Sequence, residues 1–224
     1  MYASDENWRE VDAYFEASLI TEDDALAAAR ASSAHTTMPS ADVTANQGKL
    51  LAMLCQLAGA TRVLEFGTLA GYSTVWLARA VGPGGHVTTL ELEEQNAKVA
   101  RQNLERAGVA DRVDILVGSA AESAQRLIDT GADPYDFVFI DADKPSNPAY
   151  LRASLELTRP GAVLVIDNVV RQGAITDPNS PDKRVQGVRA VVADIANNPH
   201  LDATTLQTVG AKGWDGFTLI RRTN

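Results

Sequence analysis

The sequence predicts a doubly wound α/β domain with a helical cap in front of it and an antiparallel hairpin behind it. Three observations carry this expectation. Residues 1–58 show helix patterns only, five strand candidates alternate with helices from residue 61 onward, and the last two strand candidates are joined by a loop alone. Strands alternating with helices mean right-handed βαβ crossovers and a parallel sheet buried on both faces. The 224 residues contain no internal repeat, heptad array or long linker, so one domain is expected, with 1–58 as cap and 61–224 as core.

The elements follow in order. Residues 11–30 mix Tyr14, Phe15, Leu19 and Leu26 with acidic residues, as an amphipathic or paired helix would. Residues 32–40, with Pro39, read as looser chain. A helix then opens at Thr44 with Gln47 three residues on, a capping-box pattern, and Leu50, Leu51, Leu54, Leu57 and Ala58 share one face. Strand 62–66 ends at Gly67, and helix 75–81 is stopped by Gly82-Pro83-Gly84-Gly85. Strand 86–90 leads to helix 93–107, with Glu93 and Glu94 at its start and Arg101 and Arg106 toward its end, as the helix dipole favours. Strand 113–117, helix 120–128, strand 135–140, helix 149–157 and strand 162–166 continue the alternation. Helix 185–196 precedes the hairpin candidates 203–209 and 216–221.

Composition excludes several classes. Apolar residues make up 45% and charged residues 22%, which is ordinary for a globular chain. With 20 basic against 29 acidic residues the net charge is −9, a field that repels phosphate backbones and anionic lipid, so neither nucleic acid nor membrane is an expected partner. The single cysteine, Cys55, lies in an apolar run and reads as a buried structural thiol. His35, His86 and His200 are scattered, which disfavours zinc. Met1 to Glu6 lack a signal-peptide pattern, and apolar runs such as 162–166 fall far short of the ~20 residues that span a bilayer, so a cytoplasmic location is expected.

In an open α/β sheet, ligands bind beyond the carboxyl ends of the strands. The first strand runs into Glu65-Phe66-Gly67-Thr68-Leu69-Ala70-Gly71-Tyr72-Ser73. Its G-x-x-x-G spacing allows a tight turn but is not the G-x-G-x-x-G that cradles a pyrophosphate, which disfavours a dinucleotide. The second strand ends at Glu91, where a carboxylate can accept both ribose hydroxyls. The third ends in Gly118-Ser119-Ala120, a small-residue turn with room for a flat base. Singly, each is an ordinary turn or a solvated strand end. Together they describe a nucleoside pocket whose charged tail is not a phosphate.

The fourth strand ends in Asp141-Ala142-Asp143-Lys144 and the fifth in Asp167-Asn168. If these strands are neighbours, Asp141, Asp167 and Asn168 converge as a hard-oxygen set suited to Mg²⁺ or Ca²⁺. Either aspartate alone would read as a loop cap. Lys144, beside such a cation and partly buried, would have a lowered pKa and act as a general base. Its ordinary reading is a surface lysine paired with Asp143.

These motifs, in this order, resemble the cation-dependent O-methyltransferases of the catechol and caffeoyl-CoA type, and the resemblance runs from about Met38 to the C-terminus. It implies a seven-stranded, mostly parallel Rossmann-like fold that uses S-adenosylmethionine (SAM). It also implies a divalent cation, Mg²⁺ foremost with Ca²⁺ or Mn²⁺ as alternatives, and methyl transfer to an aromatic vicinal diphenol. By position, Glu65, Gly67, Tyr72 and Ser73 match the residues around the methionine moiety and sulfonium, Glu91 the ribose acid, and Ser119 and Ala120 the adenine turn. Met38 matches a residue near the methyl donor, and Asp143, like Asp141, a position near the cofactor. Asp141, Asp167 and Asn168 match the metal ligands and Lys144 the catalytic base. Residues 144–150 and 171–184 depart from the plant enzymes and border the acceptor site, so a catechol, a caffeoyl thioester and a polyketide-like phenol all stay open. The resemblance further implies a homodimer, for which the apolar N-terminal helices offer an interface. Rival readings are a metal-independent methyltransferase on an amine or carboxylate, a non-catalytic SAM-binding protein, and, weakest, a nicotinamide dehydrogenase.

Overall fold

A computed structural model describes residues 7–224; Met1 to Glu6, the stretch without a signal-peptide pattern, lie outside the described residues. The strands are β1 (Arg62–Phe66), β2 (His86–Glu91), β3 (Val113–Val117), β4 (Tyr135–Ile140), β5 (Thr158–Asp167), β6 (Leu201–Gly210) and β7 (Gly213–Arg222). They form one sheet in the order β3-β2-β1-β4-β5-β7-β6. Strands β1 to β5 pair in parallel, and β7 is antiparallel to both of its neighbours. The strand order reverses between β1 and β4, which opens a crevice at their carboxyl ends.

The helices are α1 (Trp8–Leu19), α2 (Asp24–Ser32), α3 (Ala45–Leu57), α4 (Tyr72–Val81), α5 (Glu94–Arg106), α6 (Ala120–Asp129), α7 (Asn147–Leu157) and α8 (Lys183–Ala196). Side chains alternate between the two faces of the sheet, as the pleat requires. Val63, Val87, Phe137, Phe139 and Val165 pack against residues of α2 to α5, including Leu26, Leu51, Trp76 and Leu104. Leu64, Phe66, Val138, Ile140, Leu164 and Ile166 pack against α6 to α8 through Ala124, Leu151, Val188 and Val191. No helix among the described residues is long and apolar enough to cross a membrane.

The structure adjusts several expected boundaries. The stretch 11–30 is two helices, because Asp23 leaves the helical conformation and its carboxylate caps α2 by accepting from the Leu26 amide at 3.1 Å. Thr44 caps α3 as expected, with its hydroxyl accepting from the Gln47 amide at 3.2 Å. The expected apolar face of α3 is rotated, however. Ala45, Gly48, Leu51, Ala52 and Cys55 are buried, whereas Leu57 is 81% exposed. Small residues allow α3 to sit close on α4, and that contact outweighs the larger leucine stripe. Cys55 is fully buried, and burial pushes its thiol up to about 12. Helix α4 begins at Tyr72 rather than 75, directly on Gly71, and α7 begins at Asn147 because Pro148 is tolerated in a first turn.

Two contacts hold the sheet that frames the crevice. At the amino-terminal ends of the strands, away from the crevice, Asp136 on β4 accepts from the Thr61 amide (2.9 Å), the Thr61 hydroxyl (3.0 Å) and the Arg62 amide (3.0 Å), and its other oxygen takes Arg159. This pins the start of β1 to the start of β4. At the crevice rim, the tip of the β6–β7 hairpin returns to the N-terminal cap. Asp12 of α1 accepts from the Ala211 amide at 2.7 Å, and the Lys212 ammonium donates to the carbonyls of Ser40 (3.0 Å) and Asp42. Asp136→Ala removes a buried carboxylate that serves three donors of the β1–β4 seam and should lower the unfolding free energy by about 2–4 kcal/mol. Urea denaturation checks this, and a loss below about 0.5 kcal/mol would show that the seam does not depend on Asp136.

Candidate active site

The site is built on the turn that follows β1. Gly67 has φ +96°, and a Cβ there would lie 2.7 Å from the Asp141 carbonyl oxygen, so only glycine lets β1 and β4 close at this point. Gly71, also left-handed, starts α4 without a side-chain cap, and Tyr72 and Ser73 of its first turn line the crevice. Beneath the turn Glu65 is fully buried. It accepts from the hydroxyls of Ser73 (2.6 Å), Thr74 (2.5 Å) and Thr89 (2.7 Å). Burial pushes its carboxyl up to about 7; the three hydroxyls oppose that shift and the Asp141 charge adds to it.

The crevice above the turn has a volume of about 600 Å³, within the usual range for a small-molecule site. On the β2–β3 side its wall includes Glu91, Leu92, Ser119 and Ala120, with Met38 on the loop that crosses it. Glu91 accepts from the amides of Thr68 (3.2 Å), Leu69 (2.8 Å) and Glu93 (3.0 Å) and from the Asn96 side chain (3.0 Å). Asn96 in turn accepts from the Thr37 amide at 2.9 Å, which ties the Met38 loop to the strand-end acid. The Tyr72 hydroxyl bonds Glu22 and Arg30 of the cap, and burial pushes it up to about 12.

On the β4–β5 side, Ile140 pairs with Ile166, so Asp141 and Asp167 leave neighbouring parallel strands at one level. Asp167 is only 4% exposed. Burial and then the Asp141 charge raise its carboxyl above the usual range, against Lys144, the Asn168 amide and Gln47, which lower it. Lys144, 7% exposed, places its ammonium 2.8 Å from Asp141 Oδ1. Asn168 stands at φ 55°, a left-handed conformation that asparagine tolerates, and donates its amide to Asp167 Oδ1 at 2.8 Å.

Met38, Gly67, Tyr72, Ser73, Glu91, Ser119, Ala120, Asp141, Asp143, Lys144 and Asn168 all line this one crevice. Glu65 and Asp167 do not: Glu65 is fully buried beneath the turn, and Asp167 is buried between Asp141 and Asn168, which do line it. Glu65 therefore supports the turn through three hydroxyls and does not itself reach a bound molecule. Lys144 pairs with Asp141, not with Asp143, whose oxygens are taken by the hydroxyls of Tyr150 and Ser146. Among the described residues no three His, Cys, Asp or Glu side chains form a metal-binding group. The mixed set of Asp141, Asp167 and Asn168 nonetheless suits a hard divalent cation. Two carboxylates repel one another in a buried corner, an amide oxygen stands beside them, and the open crevice leaves room for water and ligand oxygens.

Sequence reasoning missed Leu92 and Asn96, and reached Arg171 and Arg184 only as the bounds of a segment bordering the acceptor site. Leu92 is 64% exposed although apolar and directly follows the strand-end acid, a placement that could have marked it as a wall of the pocket. Asn96 carried no signal, since only the fold brings it under Glu91.

Because burial raises the Glu65 carboxyl, the folded protein holds a proton there that the unfolded chain has lost. Stability should therefore fall as pH rises from the ordinary carboxylate range to about 7, with the penalty complete above that. In metal-free, cofactor-free protein, Glu65→Gln should raise Tm relative to the parent more at pH 8 than at pH 5. A Tm difference independent of pH would contradict the buried-acid assignment.

Known proteins resemble this chain in both sequence and fold. A protein-family model described as O-methyltransferase matches residues 16–223. The chain is 49% identical over 210 residues to a catechol O-methyltransferase of Mycobacterium tuberculosis, covering 94% of each chain. The fold superposes on the O-methyltransferase TomG of Streptomyces achromogenes in complex with SAM, with TM-score 0.95, 47% identity and 100% of both chains covered. It superposes equally on an O-methyltransferase of Bacillus cereus in complex with SAH, with TM-score 0.96, 47% identity and coverage of 98% of this chain and 100% of that one.

Proposed function

The chain belongs to the O-methyltransferase family and is a SAM-dependent enzyme of that class, and from that premise we propose that it methylates one hydroxyl of a vicinal diphenol with the help of a divalent cation, Mg²⁺ foremost. The observation that carries this reading is the corner where adjacent strand ends bring Asp141, Asp167, Asn168 and Lys144 together. It lies across the β1/β4 switch point from Glu91 and Ser119, so one crevice holds a nucleoside wall on one side and an acidic corner on the other.

In this reading Glu91, Leu92, Ser119 and Ala120 receive the adenosine half of SAM. The uncapped first turn of α4 suits its carboxylate, since amides at a helix start attract anions. Met38 and Tyr72 flank the methyl donor, and Asp141 and Asp143 on the facing wall supply carboxylates near the sulfonium. Asp141, Asp167 and Asn168 would hold the cation, which when bound acts as a Lewis acid and lowers a phenol pKa from about 10. Asp141 fixes the Lys144 Nζ, and with a cation offsetting the Asp141 charge Lys144 would release its extra proton to solvent and, as the neutral amine, take the proton of the reacting hydroxyl. Holding both reactants in line accounts for much of the acceleration.

The enzyme is also inferred to be a homodimer. Helix α1 buries none of its residues, and Val11, Tyr14, Phe15 and Leu19 form an exposed apolar stripe that a second copy would cover. Sedimentation of a monomer at micromolar concentration would overturn that inference.

Methyl transfer from labelled SAM to a panel of vicinal diphenols should proceed with Mg²⁺ and stop with excess EDTA. Lys144→Ala should lower kcat by ~10²-fold or more and change the pH–rate profile. Transfer that survives EDTA would return Asp141, Asp167 and Asn168 to structural roles. An unchanged pH–rate profile would do the same for Lys144.

A further inference from the structure

A second cavity of about 360 Å³ opens beside the first and shares Arg171 and Arg184 with it. Arg171, Arg184 and Lys212 face it as cations, Asp182 and Asp215 as carboxylates. All but one of these charges are engaged. Arg184 grips Asp182 through Nη2 (2.7 Å) and Nε (3.0 Å). Asp215 accepts from the amides of Val170 and Arg171 at 3.0 Å each, and Lys212 donates to the carbonyls of Ser40 and Asp42. The Arg171 guanidinium lines the cavity and makes no hydrogen bond or close ion pair among the described residues; its charge reaches Asp182, whose carboxyl is already held by Arg184 and which Arg171 only helps to keep low.

The backbone around Arg171 is held in a costly shape. Asn168, Arg171 and Gln172 stand at φ 55°, 54° and 54°, and non-glycine residues keep such conformations only where the surroundings enforce them. Asp215 enforces this one through two amides, and Trp214 closes over Gly173, where a Cβ would come within 2.8 Å of the indole ring. The result is one short corner that brings both Asn168 and the free guanidinium to the first cavity, with Arg171 reaching on into the second.

We propose that Arg171 is a specificity residue and that the methyl acceptor is a diphenol whose ring bears a carboxylate, directly or on a short arm, that enters the second cavity and pairs with this guanidinium. The proposal rests on the diphenol reading of the preceding subsection. A planar guanidinium matches a carboxylate through two parallel hydrogen bonds. One unengaged cation balances one negative charge. A polyanionic arm would meet Asp182 and Asp215 with no second free cation to offset them.

The test compares 3,4-dihydroxybenzoate with its neutral near-isostere 3,4-dihydroxybenzamide. It reads kcat/KM with SAM and Mg²⁺, and Kd on SAH-loaded enzyme by calorimetry. The amide lowers the phenol pKa further, which eases deprotonation but weakens the phenolate as a nucleophile, so the calorimetric Kd, which involves no methyl transfer, decides that a preference for the benzoate is recognition. The parent enzyme should favour the benzoate by about tenfold or more in both readouts. Arg171→Gln should reduce the preference to within about twofold, and Arg171→Lys should keep part of it. The preference of the parent enzyme should also shrink as ionic strength rises from about 0.05 to 0.5 M. Equal treatment of the two probes by the parent, or an undiminished preference in Arg171→Gln, overturns the proposal. Should Arg171→Gln fail to fold, the salt series on the parent decides, and a flat ratio overturns it. Failure of the diphenol reading looks different: neither probe is methylated, or methylation survives EDTA, while the calorimetric comparison still reports on Arg171.

Discussion

The site depends on one electrostatic constraint, the crowding of buried Glu65 and Asp167 with half-buried Asp141 at the ends of three neighbouring parallel strands. The register of β1, β4 and β5 leaves these carboxylates little freedom to separate. The Asp141 charge works against ionisation of both of the others, and Lys144 makes the one direct ion pair in the group. Buried charges persist only when they are paired and hydrogen-bonded. Here three hydroxyls serve Glu65, and an amide and an ammonium serve the other two. What remains is a set of carboxylates in competition at the edge of an open crevice: Lys144 counters the Asp141 charge, and burial disfavours ionisation of Glu65 and Asp167. A cation entering beside Asp141 would relieve that competition, which is the physical ground of the proposed function.

The glycine turn is subordinate to that constraint. It must pass between Glu65 below and the crevice above, and Gly67 lies too close to the Asp141 carbonyl for any side chain. Its amides at Thr68 and Leu69 are held by Glu91, so the acid that ends β2 also shapes the loop that follows β1. Asn96 extends the same network to Thr37 and the Met38 loop. Four separated stretches of chain are thereby fixed by a single carboxylate and its hydrogen bonds.

The two ends of the chain meet over the other half of the crevice. Asp12 near the start receives the Ala211 amide, and Lys212 at the hairpin tip holds the loop at Ser40 and Asp42. The antiparallel hairpin is thus more than a sheet edge. It brings Trp214 and Asp215 to the strained segment after β5, and that segment sets where Arg171 stands. The position of Arg171 and the docking of the hairpin tip on the cap share these few contacts.

Much of this was legible in the sequence. The alternation of apolar strands with glycine-terminated helices determined the doubly wound sheet, because a strand buried on both faces and an amphipathic helix have few other ways to pack. The strand-end positions of Glu91, Asp141, Lys144, Asp167 and Asn168 were readable for the same reason, since a parallel sheet delivers all its carboxyl ends to one edge. Tertiary structure decided the rest. That Glu65 supports the turn from beneath, that Lys144 turns to Asp141 and not Asp143, that α3 buries its small residues and exposes Leu57, and that Arg171 is left without a partner all depend on atoms remote in the chain. Local pattern sets which way a strand runs and where it ends. Which charge finds which partner is set by distances of a few ångströms across elements, and only the folded packing specifies those.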